Sequence, residues 1–147
     1  MPHITQNTRG DHMADDKNFK IKIICPDRVF YEGEAEMVEF TASEGDIGIY
    51  RNHIPLTTAI KPGILTITDD QGGRKAAVHA GFAEVLGDSV SILAEVAEWP
   101  EEIDADRAQR AKERAEARLS SKEDGIDVLR AEVALKKALV RLDLCGR

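Results

Sequence analysis

From Phe19 apolar and polar residues alternate: Phe19, Ile21 and Ile23 are separated by Lys20 and Lys22, the period of a half-buried strand. Val29 to Tyr31 is a short apolar run, and Glu32-Gly33 reads as a turn after it. Glu34 to Ala42 alternates again, with Glu36, Val38, Phe40 and Ala42 on one side. Ser43 to Tyr50 carries two glycines and reads as a loop. Ile54 to Ile60, Ile64 to Thr68, Arg74 to Ala80, Phe82 to Leu86 and Ser89 to Val96 follow as strands. Between them, Lys61-Pro62-Gly63 places proline and glycine where a type II turn wants them, and Gly87-Asp88 suits a two-residue hairpin. About ten short strands with frequent turn signals predict an antiparallel β-sandwich over residues 19–98.

Trp99-Pro100 ends the period of two. Ala108, Ala111, Ala115 and Leu119 then recur at helical spacing, behind Asp104 as N-cap. A second helix is predicted from about Ile126 to Leu144, with two apolar stripes: Val128, Ala131, Leu135, Leu139 and Leu142, and Leu129, Val133 and Val140. The short polar connection makes the two helices an antiparallel hairpin, residues 99–147. One stripe suffices for that pairing, so the other needs the sandwich or another partner. Residues 1–18 lack periodicity and are expected to be a disordered leader or tag.

Composition refines this outline. The chain is 42% hydrophobic and 32% charged, a globular balance, and no apolar run approaches the roughly 18 residues that span a bilayer. Residues 1–98 hold 9 Lys/Arg against 16 Asp/Glu, and residues 99–147 hold 11 of each. The acidic first part argues against nucleic acid as its partner. Cys25 and Cys145 sit outside any metal spacing and are expected to be reduced.

There is no HExxH, CxxC, Walker or GxSxG motif, and no nucleophile–base set, so an enzyme is not expected. His79 falls in a strand run and reads as a packed or surface residue. Ile103-Asp104-Ala105-Asp106-Arg107-Ala108 is echoed by Ile126-Asp127-Val128-Leu129-Arg130-Ala131. Helix capping accounts for the echo. Arg107, Arg114 and Arg118 share a helix face, and Lys137 and Arg141 form a pair on the second helix. A solvated charged face is the plain reading of these groups, a phosphate site the sharper one.

SEGDIGIYRNHIPLTTAIKPG (43–63) and AGFAEV (80–85), with a strand-rich domain before a two-helix tail, resemble the epsilon subunits of F-type ATP synthases. The resemblance implies a non-catalytic subunit of the central rotor stalk, coupling proton flow to ATP synthesis. It implies a sandwich bound to the gamma subunit and resting on the c-subunit ring, through positions matching Glu44, Asp46 and His53. It implies a tail that is compact on the sandwich or extended into the alpha/beta catalytic head, where it inhibits ATP hydrolysis. The location implied is peripheral, on the cytoplasmic side of a bacterial membrane. No cofactor or metal is required. Some bacterial members hold ATP on the compact tail, through positions matching Glu98, Asp104, Arg107, Arg114, Lys137 and Arg141. Lys137 departs from that pattern, which has an arginine; lysine keeps the charge but loses the bidentate fork. The competing reading is a free-standing, nucleotide-sensing β-sandwich protein.

Overall fold

The computed structural model describes residues 17–121, 123 and 125–146. Most of the predicted leader therefore lies outside the described residues. Eight strands precede the helices: β1 (Phe19–Cys25), β2 (Arg28–Ala35), β3 (Met37–Ala42), β4 (Gly45–Tyr50), β5 (Leu56–Ile60), β6 (Gly63–Asp69), β7 (Gly72–Val85) and β8 (Ser89–Glu98). Strands pair in the order β2-β1-β8-β7-β5-β3-β4, with β6 against β3 and β7. The pairings are antiparallel save β1 with β8, which run parallel and join the two ends of the domain. Alternate residues of β1, β3 and β6 fill the core, among them Ile21, Ile23, Val38, Leu65 and Ile67.

Four readings change. The expected loop at 43–50 is mostly strand β4, hairpinned to β3 from Met37↔Tyr50 to Ala42↔Gly45. The expected turn at Glu32-Gly33 lies within β2, and the run 34–42 breaks at Glu36 instead. The expected strands 74–80 and 82–86 are one strand, kinked where Ala80 (φ 57°) and Gly81 (φ 134°) both take left-handed backbone. Before the kink β7 pairs with β6; after it, with β5. A side chain at Gly81 would run into the Leu93 carbonyl oxygen. These fusions leave eight strands rather than about ten. Gly63, by contrast, is not in positive φ, so the type II turn is absent there; its glycine makes room for the Thr41 side chain.

The linker stays with the sandwich. Trp99 stacks on Phe30 at 4.3 Å between ring centroids, and the Arg74 guanidinium lies 3.9 Å from its ring centre on one face. Pro100–Glu102 form a 3₁₀ turn. There Glu102 Oε1 accepts the Trp99 N–H at 2.8 Å, and its carboxylate pairs with Arg28 at 2.8 Å. The tail thus begins after Glu102, four residues later than the change of period suggests.

Helices α1 (Ala105–Ser120) and α2 (Val128–Leu144) form the predicted hairpin. Asp104 accepts the Arg107 N–H at 3.1 Å, and Asp127 accepts the Arg130 N–H at 3.0 Å. The sequence echo is therefore a repeated helix start. Ala108 and Ala115 on α1, and Ala131 and Ala138 on α2, are all buried. Small side chains seven apart let the two backbones approach closely. Helix α2 also packs on β6 and β7.

Candidate functional site

A cavity of ≈ 340 Å³ opens where β8, the linker and both helices meet. The sandwich contributes Glu98, the last residue of β8, and the linker contributes Glu102 and Ile103. The capped start of α1 contributes Asp104, Arg107 and Ala108, and its next turns contribute Ala111 and Arg114. Helix α2 contributes Arg141. Three guanidiniums thus converge on one concave surface, which suits an anion with several oxygens. The small Ala108 and Ala111 leave the space open.

One interaction closes the cavity floor. Arg141 Nε donates to Glu98 Oε1 at 2.6 Å, a charge-assisted bond between tail and sandwich. Burial pushes the Glu98 carboxyl upward. Contacts with His79 and Arg141 outweigh that effect and hold it below the ordinary carboxylate range. His79 Nε2 stands 3.5 Å from the same Glu98 oxygen. Around the linker, bonds from Arg28 and from the Trp99 N–H also draw the Glu102 carboxyl below its ordinary range.

Of the ATP set expected from sequence, Glu98, Asp104, Arg107, Arg114 and Arg141 line this cavity, and Lys137 does not. Lys137 lies about one turn before Arg141 on α2. Ile103 belongs to the Ile-Asp-x-x-Arg-Ala stretch singled out in the sequence, whereas Glu102 lies in a linker with no period to mark it. His79, expected to be packed or on the surface, is packed. It is 1% exposed, yet it lies outside the sandwich core. Its neighbours Ala76 and Val78 point into that core, so His79 takes the opposite face of β7, where α2 packs. A continuous run of buried residues from Ala76 to His79 is the signal that both faces are covered.

The second expected set spans the length of β4. Glu44 and Asp46 stand at the β3–β4 hairpin end, where Asp46 accepts a bond from Thr41 at 2.9 Å. His53 follows the opposite end of β4, and its Nδ1 lies 2.8 Å from the Ile54 carbonyl. A six-residue strand separates them by on the order of 17–20 Å. Asp46 instead faces the tail, in a cleft lined also by Gln109 and Lys112 of α1. Among the described residues no cluster of three potential metal ligands occurs, and Cys25 and Cys145 are free thiols.

Comparison with known proteins gives matches along the whole described chain. Residues 18–100 match the family model "ATP synthase, Delta/Epsilon chain, beta-sandwich domain", and residues 101–146 match its "long alpha-helix domain". The ATP synthase epsilon chain of Caldanaerobacter subterraneus subsp. tengcongensis is 47% identical over 133 residues, covering 90% of this chain and 96% of its own. That of Bacillus velezensis is 45% identical, covering 88% and 98%. In fold, the chain is similar to one in the Euglena gracilis mitochondrial ATP synthase, at TM-score 0.77 and 22% identity over 89% of this chain and 82% of that one.

Proposed function

This chain belongs to the ATP synthase epsilon chain family, and from that premise we propose that its tail is a nucleotide-held latch on a non-catalytic stalk subunit. Membership sets aside the free-standing sensor. The observation that carries the proposal is the arginine-lined cavity closed by the Arg141–Glu98 bond. ATP phosphates bound by Arg107 and Arg114 of α1 and by Arg141 of α2 cross-link the two helices and keep the tail compact. Released, the hairpin offers its arginines to acidic surfaces of the beta subunits, and its apolar residues to the catalytic head. Val128 and Leu129, 53% and 71% exposed at the start of α2, support such a second partner.

The sandwich supplies the fixed contacts. Phe82 and Leu93 are cross-strand neighbours, 56% and 55% exposed, and form an apolar patch fit for docking on the gamma subunit. For the c-subunit ring the better end is the one bearing His53, where Tyr50 and Ile54 are exposed. Glu44 and Asp46 lie toward the other end of β4, about one strand length away. Among the described residues no helix is long and apolar enough to cross a membrane. The proposed place is peripheral, held through the complex on the cytoplasmic side of a bacterial membrane.

Calorimetry on the isolated chain tests the ligand: absence of heat at millimolar ATP, with and without magnesium, would refute it. Truncation after Ile103 tests the latch. It keeps the Trp99–Glu102 turn, should leave gamma binding intact, and should raise ATP hydrolysis by the assembled complex. Unchanged hydrolysis rules out a regulatory tail.

A further inference from the structure

His79 is buried beside the cavity with neither ring nitrogen hydrogen-bonded among the described residues. Its Nε2 stands 3.5 Å from Glu98 Oε1, the oxygen already taken by Arg141 at 2.6 Å. One carboxylate oxygen therefore faces two nitrogen groups and serves one of them. A buried polar group without a partner is unfavourable, so an arrangement that pairs His79 is favoured whenever Glu98 is released from Arg141. The tail covers His79, so this competition exists only in the compact state.

We propose that binding of a polyphosphate in the cavity is coupled to proton uptake at His79, which makes His79 a positioning residue for Glu98. The inference rests on the anion-site reading above. A phosphate that engages Arg141 takes the guanidinium from Glu98. The freed carboxylate is then close to a second anion. The imidazole takes a proton from solvent and donates Nε2–H to Glu98 Oε1. The new ion pair neutralises the carboxylate and holds it off the ligand. Facing His79 are Glu98 from β8 and Arg141 from α2. The other charged groups lining the cavity are Asp104, Arg107 and Arg114 of α1 and its cap, and Glu102 of the linker. Entry of an anion adds negative charge to this group, and the added proton offsets part of it.

The test is calorimetry of the full chain with ATP at pH 7, in buffers of differing ionisation enthalpy. The apparent binding enthalpy should vary linearly with buffer enthalpy, showing net proton uptake. In His79→Gln the slope should fall to that of the nucleotide's own phosphate titration, with ATP still bound. The wild-type affinity should also tighten several-fold from pH 8 to pH 6.5, and His79→Gln should flatten that change. Equal slopes in the two proteins overturn the coupling and leave the site standing. No ATP binding in either overturns the site and the coupling together. If His79→Gln fails to fold, ¹⁵N shifts of the wild-type imidazole decide: they should move to the protonated form on adding ATP, and unchanged shifts overturn the coupling.

Discussion

Arg141, near the end of the last helix, is bonded to Glu98, the last residue of the last strand, at 2.6 Å. The two side chains are 28% and 23% exposed, so the bond is only partly screened by water. It ties the far end of the chain to the point where the tail leaves the sandwich. Arg141→Ala removes the 2.6 Å bond that ties the tail to Glu98, and the expected cost to tail docking is about 1–3 kcal/mol. Hydrogen exchange in α1 and α2 should accelerate while β1 and β8 keep their protection. Uniform acceleration across both parts contradicts this division.

The same bond sets an acid limit. The folded-state titration of Glu98 lies below its ordinary value of 4.5. A depressed carboxylate stabilises the folded state above that ordinary value, and its contribution is lost as pH falls through the folded one. Tail docking should therefore hold down to about pH 5 and weaken progressively below 4.5. Glu98→Gln should remove that acid dependence in a tail-protease or hydrogen-exchange assay. An unaltered acid profile in the variant assigns the transition to other carboxylates.

Gly81 supports the sharpest substitution. It combines φ 134° with a backbone carbonyl where a side chain would go. Gly81→Ala should cost on the order of 3 kcal/mol or more, because β7 must straighten or β8 must move. Thermal unfolding should show a fall in Tm of roughly 10–20 °C. Gly87→Ala meets open space and ordinary backbone and serves as the mild control, within about 1 kcal/mol.

Trp99 carries the linker. Trp99→Ala removes the stack on Phe30 and the Arg74 cation–π contact, an expected loss of about 2–4 kcal/mol. Arg74→Ala alone should cost about 0.5–1 kcal/mol. Urea unfolding of the three proteins measures both. A Trp99→Ala loss no larger than that of Arg74→Ala would show that the stack on Phe30 contributes nothing.

Much of this architecture is legible in the residues, for identifiable reasons. Phe19, Ile21 and Ile23 face one core, and alternation reveals them. Asp104 and Asp127 reveal the helix starts because a cap is a local interaction. Strand β4 is hidden because it is an edge strand with Ile49 as its buried residue, so glycines and acids dominate its pattern. The kink in β7 is hidden because Ala80 adopts a backbone that alanine seldom takes. In the cavity, the arginines on α1 could be placed together from helical spacing. Their meeting with Glu98 and Arg141 depends on how the hairpin lies on the sheet, which spacing along one chain does not encode. The resemblance supplied that pairing. It also grouped Glu44 and Asp46 with His53, residues that stand near the two ends of β4.

The Trp99–Glu102 turn has a mechanical consequence. Because the sandwich grips the chain as far as Glu102, any swing of the tail is concentrated at Ile103 and Asp104. Helix α1 is then a stiff arm about 24 Å long on a two-residue pivot. A rotation of about 30° at that pivot carries the outer end of α1 roughly 12 Å. The cavity lies beside the pivot, so a small ligand bound there would act with poor leverage on distance and good leverage on angle. A slight torsional bias at the fulcrum becomes a large displacement at the tip.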